Sequence, residues 1–197
     1  MIEVEKNFDL RAGDKERLIE GSKFLHRKIF QDIYYDDKNY RLTKNDYWFR
    51  QRQDKWELKV PLNKESISNR LTDQYHELES DDEIVAELNL PKGVDISESI
   101  ARMGYEPFAK IVTTRESYQK GDFHLDFDEM DFGFTTFEAE LMVKSNKEVP
   151  LAEKRILNFA VEHGITENKG RGKVIEYLAR FKPKHYEALL QVGVIQE

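Results

Sequence analysis

Charged residues in this chain recur two apart, in pairs, inside segments that otherwise alternate with apolar residues. Side chains at i and i+2 of a β-strand point to the same face. Glu3 and Glu5 therefore share a face, while Ile2 and Val4 take the other. Arg50 and Arg52 lie opposite Phe49, and Glu57 and Lys59 lie opposite Trp56, Leu58 and Val60. Glu77 and Glu79 oppose Leu78, Asp126 and Asp128 oppose Leu125 and Phe127, and Glu138 and Glu140 oppose Phe137, Ala139 and Leu141. Any one pair taken alone reads more readily as the solvated face of a sheet over an apolar core. Six together, with acidic and basic pairs segregated by strand, favour a sheet whose charges face inward and whose apolar face is covered from outside.

The alternation predicts eight strands: Ile2–Phe8, Ile29–Asp36, Tyr47–Gln53, Lys55–Pro61, Tyr75–Glu79, Lys110–Gln119, Phe123–Glu129 and Thr135–Lys144. Eight strands are enough to close a barrel. Hairpin turns are expected at Asp54-Lys55 and at Lys120-Gly121-Asp122. Helices are expected where the period lengthens. One is capped by Asp14, with Leu18 and Leu25 as its stripe, and a short one is capped by Ser97 and ends at Gly104. A third starts at Pro150 and is closed by Gly164. After Gly172, Ile175, Leu178 and Phe181 share a face, and Pro183 restarts a last helix with Tyr186, Leu189 and Leu190. The expected fold class is α+β, an eight-stranded antiparallel barrel with helices packed outside and at the C-terminal end. No linker divides the 197 residues, so a single domain over 1–197 is expected.

Inward charge needs partners, because enclosing an ion costs several kcal/mol unless it is compensated. Glu3, Glu5, Asp126, Asp128, Glu138 and Glu140 offer oxygen alone, which suits Mg²⁺, Mn²⁺ or Ca²⁺ rather than zinc. Arg50, Arg52, Lys59, Arg115 and Lys173 suit phosphate oxygens. A metal-holding wall facing a basic wall is the arrangement that hydrolysis of a polyphosphate requires. The net charge of −7 disfavours nonspecific nucleic-acid binding. The chain has no cysteine, which removes disulfides and thiolate chemistry. No apolar signal region or membrane-length run is present, so a cytoplasmic protein with no membrane partner is expected. The phosphate loop GxxxxGK[ST] is absent, since Gly172-Lys173 precedes Val174, and neither HExxH nor GxSxG occurs.

Several segments resemble the CYTH superfamily, also called triphosphate tunnel metalloenzymes. They are the opening Ile2-Glu3-Val4-Glu5-Lys6-Asn7-Phe8, the run Asp32–Asp36, and Asp46-Tyr47-Trp48-Phe49-Arg50-Gln51-Arg52. Trp56–Lys59, Leu125–Asp128 with Asp131-Phe132-Gly133, and Phe137–Glu140 continue the series. The ending Gly172–Phe181, with Pro183 and Tyr186, is similar to the animal branch of that family that acts on thiamine triphosphate.

The resemblance implies Mg²⁺-dependent hydrolysis of thiamine triphosphate, with Mn²⁺ as a substitute, in a monomer. A tripolyphosphatase, a nucleoside triphosphatase and a non-catalytic triphosphate-binding protein are the alternatives. It also implies that Glu3, Glu5, Asp126, Glu138 and Glu140 bind metal, with Asp128 assisting. Arg50, Arg52, Lys59, Arg115 and Lys173 then hold the triphosphate. Tyr34 and Lys59 occupy the positions proposed to activate water. Lysine among cations is pushed toward its neutral form, which suits a base; a plain phosphate clamp is the equal alternative. Trp48 occupies the place expected to stack on the thiamine rings, where a cationic thiazolium gains cation–π attraction. Tyr75 and Glu77 are the expected contacts to the aminopyrimidine. One position departs from the family's ExExK signature: Asn7 stands where lysine is expected. Asn7 can donate a neutral hydrogen bond to phosphate but supplies no charge.

Overall fold

The computed structural model describes residues 1–62, 71–165 and 171–196. Eight antiparallel strands close a barrel. They are β1 (Ile2–Phe8), β2 (Lys23–Asp36), β3 (Trp48–Arg52), β4 (Lys55–Pro61), β5 (Asp73–Leu78), β6 (Glu106–Lys120), β7 (Phe123–Met130) and β8 (Thr135–Val143). The order around the barrel is β1-β5-β4-β3-β2-β6-β7-β8, with β8 returning to β1. All eight expected strands are present. Closure leaves no edge with unpaired backbone groups.

The apolar faces point outward and are roofed by helices. Helix α4 (Val149–Glu162) lays Ile156, Phe159 and Ala160 over Val4, Leu125, Phe137 and Ala139. Helices α2 (Asp81–Glu87) and α3 (Ile96–Arg102) bring Ile84, Ile96 and Ile100 onto Phe49, Trp56 and Leu58. Helices α5 (Lys173–Phe181) and α6 (Pro183–Gln191) bury Val174, Leu178 and Leu189 against Ile111, Trp48 and Tyr75. With the apolar side occupied in this way, the charged side has only the barrel interior to face.

Five expectations are corrected. The first helix, α1, ends at Ile19, and Gly21 turns the chain (φ 70°), so Leu25 belongs to β2 and is exposed. Asp14 is the first helical residue rather than the cap, which is Gly13; its carboxylate accepts hydrogen bonds from Arg11 N and Arg17. Asp95, not Ser97, caps α3, by accepting from the Ser97 amide at 2.8 Å. The β3–β4 turn is Gln53-Asp54, with Gln53 at φ 54° and Arg52 paired to Lys55. Glu79 lies past the end of β5 and is exposed, so the Glu77/Glu79 pair is not an inward pair.

Candidate active site

The inward residues enclose a cavity of about 440 Å³. Among the described residues its lining carries eight carboxylates and six lysine or arginine side chains. Each sign therefore needs the other inside and also has capacity for a ligand of its own kind, a divalent cation on one wall and a polyanion on the other.

Strand register sets the two walls. Glu5 pairs across to Glu140 on β8 and to Asp73 on β5, and Glu140 pairs on to His124 of β7. One level along, Asn7, Glu138, Asp126 and Ser117 are successive partners. Glu3, Glu5 and Glu140 bring ligand oxygens within 4.8 Å of one another, and His124, Asp126 and Glu140 form a second group of the same size. Burial pushes the Glu5 carboxyl up to about 8; Lys59 opposes the shift, and Glu3, Glu138 and Asp73 add to it. Burial also raises Glu140 well above the usual carboxylate range, reinforced by Glu3, Asp126, Glu5 and Glu138. Acids that hold protons this tightly mark a concentration of negative charge that a divalent ion would relieve. The predicted oxygen donors therefore fit a hard cation.

The cations stand on β3, β4, β6 and at the start of α5. Arg115 is the most heavily engaged. It makes a bidentate pair with Asp128 (2.6 and 2.7 Å), meets Glu138 at 2.8 Å and pairs with Asp126. Arg50 binds Glu57 at 2.7 Å and Glu77 at 3.2 Å. Arg52 forks onto Asp32 at 2.7 and 3.1 Å, and Lys173 Nζ lies 2.8 Å from the same carboxylate. Asp32 is fully buried, yet Lys173, Arg50 and Arg52 outweigh the burial penalty and hold it well below the usual carboxylate range.

Lys59 sits 2.7 Å from Glu3 and 3.0 Å from Glu5. Burial opposes its charge, but Glu3, Glu5 and Glu77 outweigh it and hold the ammonium well above the usual lysine range. Its nearest neighbours are carboxylates, not cations, and they favour the ammonium form.

The remaining expected residues divide as follows. Tyr34, Trp48, Tyr75, Glu77 and Asn7 all line the cavity. Trp48 Nε1 donates to Asp46 Oδ1 at 3.0 Å and to the Tyr75 hydroxyl at 3.2 Å, and that hydroxyl donates to the same Asp46 oxygen at 2.9 Å. Two aromatic rings are thereby fixed at the end of the cavity next to α5. Asn7 accepts a hydrogen bond from Thr136 at 3.2 Å, and its amide nitrogen lies against Gly172, beside Lys173. Lys6 is buried on the opposite side, with its ammonium on the Leu71 carbonyl, and takes no part in the cavity lining. Asp128 is buried but does not line the cavity; its partner is Arg115.

Five residues belong to the site that pair-spotting missed. Asp32, Asp46 and Asp73 are single acids outside i, i+2 acidic pairs. Phe30 packs its ring within 4.4 Å of Arg52, 5.0 Å of Lys173 and 5.6 Å of Arg115. His124 was detectable, because it stands two before Asp126 on the same face.

A closed antiparallel barrel that sets a carboxylate cluster against a row of cations, with its apolar face turned out under helices, defines a tunnel-type binding or catalytic protein for a polyanion and a divalent ion. The chain belongs to the CYTH family: the CYTH domain matches residues 1–171. It is 32% identical to thiamine-triphosphatase of Homo sapiens over 216 residues, covering 100% of this chain and 93% of that protein. It is likewise 32% identical to thiamine-triphosphatase of Macaca fascicularis over 211 residues, covering 98% and 91%. A Pyrococcus horikoshii protein of known structure shares the fold with a TM-score of 0.58 at 23% identity, covering 90% of this chain and 98% of that one. Among the described residues no helix is long and apolar enough to cross a membrane.

Proposed function

We propose that this chain hydrolyses an organic triphosphate, with thiamine triphosphate as its preferred substrate, to the diphosphate and phosphate. The observation that carries the proposal is the opposition of Glu3, Glu5 and Glu140 to Arg50, Arg52, Arg115 and Lys173 across one cavity. The full-length similarity to thiamine-triphosphatases supports the choice of substrate.

Mg²⁺ is the proposed ion, with Mn²⁺ as a substitute, and its chemistry is to neutralise and polarise phosphate oxygens. Glu3, Glu5 and Glu140 would hold it directly, and Glu138 and Asp126 directly or through water. Asp128 acts by aiming Arg115. The arginines and Lys173 take phosphate oxygens in place of their present carboxylate partners, and Lys59 adds a fixed positive charge. Asn7 adds a neutral donor. Tyr34 and Lys59 position the attacking water. Trp48 stacks on the cationic ring system, Tyr75 is held beside it by Asp46, and Glu77 faces the aminopyrimidine. Monomeric, cytoplasmic operation on a small molecule, without nucleic acid or membrane, completes the proposal.

The test is phosphate release from thiamine triphosphate, inorganic tripolyphosphate and ATP, with Mg²⁺ and with a chelator, for the wild type and Trp48→Ala. The expected result is a preference for thiamine triphosphate that chelation abolishes and Trp48→Ala removes selectively, since a desolvated cation–π contact is worth up to about 2 kcal/mol, or roughly thirtyfold. A wild-type preference for tripolyphosphate, with both substrates affected alike by Trp48→Ala, would move the reading to a general tripolyphosphatase. Thermal stabilisation by triphosphate without phosphate release would leave a binding protein.

A further inference from the structure

We propose that His124, Asp126 and Glu140 form a mixed nitrogen–oxygen metal site that takes Mn²⁺ or Co²⁺ in preference to Mg²⁺. The oxygen donors of the barrel suit any hard divalent ion. An imidazole within the same ligand set alters that, because nitrogen ligands favour the later first-row metals and Mg²⁺ prefers oxygen and retained water.

The geometry is set by the sheet. His124 stands directly opposite Glu140 in the β7–β8 ladder, and Asp126 follows two residues on, so all three project into the barrel. His124 Nε2 lies 3.0 Å from Asp126 Oδ1, and one donor atom from each of the three residues falls within 4.8 Å of the others. A shared ion would draw the three donors in to about 2.0–2.2 Å from it. His124 is the one histidine in the cavity lining among the described residues.

The other polar groups of the neighbourhood already have partners. Asp126 receives Arg115 through its second oxygen and the Ser117 hydroxyl at 2.5 Å. Such contacts to a ligand carboxylate orient it. Glu140 differs: no lysine or arginine among the described residues pairs with it, while Glu3, Glu5 and Glu138 crowd it. Among the described residues, His124 is the nitrogen base placed to share a cation with it. Glu140 also belongs to the Glu3–Glu5 group, so an ion held by His124 sits at the edge of the proposed catalytic cluster, toward the mouth lined by His26, Lys28 and Arg52.

The inference rests on the proposed hydrolase only for its consequence, which is a metal preference in turnover. Its test needs no substrate. The full chain, stripped of divalent ions, is loaded with Mn²⁺, and the electron spin-echo is examined for ¹⁴N coupling. Mn²⁺ and Mg²⁺ affinities are then measured by calorimetry for the wild type and His124→Asn. The expected result is ring-nitrogen coupling in the wild type that the variant lacks. Mn²⁺ affinity should fall tenfold or more in the variant, with Mg²⁺ affinity within about twofold. Oxygen-only coupling in the wild type overturns the proposal even if the variant fails to fold, as does an equal fall for both ions. If the coupling is present but no triphosphate is cleaved, the site stands and the hydrolase reading is the one to abandon.

Discussion

Two groups of carboxylates share one barrel and are balanced in opposite ways. Asp126, Asp128 and Glu138 surround Arg115, which reaches all three. Glu5 and Glu140 are adjacent across β1–β8; among the described residues Lys59 pairs with Glu5 but is also claimed by Glu3, and no lysine or arginine pairs with Glu140. In the first group Asp126 stays below the usual carboxylate range despite burial, through His124, Arg115 and Ser117, while burial and Asp128 raise Glu138 against the pull of Arg115; in the second, Glu5 and Glu140 are both pushed up. The first group is a closed ionic network that builds the wall. The second is an open one, with capacity for a cation that the protein itself does not provide.

Removing the balance from the closed group should have the largest effect. Arg115→Ala leaves three buried carboxylates without their partner, a loss of about 3–5 kcal/mol. A melting temperature lower by roughly 10 °C is the expected result in calorimetry. An unchanged melt would show that the group is solvated and that the contrast between the two groups is false. Next is the open group. Glu140→Gln removes a crowded acid, so the metal-free protein should melt a few degrees higher, while Mg²⁺-dependent phosphate release falls by about 10²–10³-fold. Stability and activity moving in the same direction would count against a metal role for Glu140.

A smaller effect separates the tunnel from helix α6 by pH. His185 of α6 is buried, stacked on Tyr40 at 3.9 Å, and its Nε2 lies 2.8 Å from the Thr43 hydroxyl, which donates to Asp36. Burial, then Lys44 and Lys182, lowers its pKa from 6.5 to about 4. The unfolded chain therefore binds the proton more readily, and stability is lost as pH falls from about 6.5 to about 4, on the order of 2 kcal/mol. Glu5 has the opposite sign: its raised pKa means metal-free stability is lost as pH rises from 4.5 to about 8. Metal-free melts across this range should pass through a maximum, with His185→Gln removing the acid limb and added Mg²⁺ the alkaline one. A monotonic curve would show that one of the two groups is solvated. The smallest expected change is Asn7→Lys. A charged donor beside Lys173 should tighten triphosphate binding by about 1 kcal/mol, read as a roughly fivefold lower KM. No change in KM would take position 7 out of the phosphate path.

The paired charges were readable because period-two alternation places Glu3 with Glu5 and Glu138 with Glu140 whatever the tertiary context. The ends of β2 were not, because Lys23–Lys28 is largely exposed and has no buried face to mark it. Helix α2 escaped notice for a related reason. It has seven residues and one buried side chain, Ile84, although Ser80 before Asp81-Asp82-Glu83 carries a capping signal. Asp46 sits in a left-handed turn at φ 63°, outside any strand pattern, so its hold on Trp48, two residues on, and on Tyr75 depends on the entry to β3 meeting β5.

What the sequence by itself determined is which residues share a face, because strand alternation is local and independent of what lies on either side. Which face became the interior was decided only by tertiary structure. The same alternation folds as an ordinary sheet with its charges in water unless α2 to α6 cover the apolar side and the strands close. The partners of the charges were likewise decided in three dimensions. Lys59 was expected among cations and lies against Glu3 and Glu5, because the neighbour of an inward side chain is set by strand order around the barrel, with β5 between β4 and β1, and not by its neighbours along the chain.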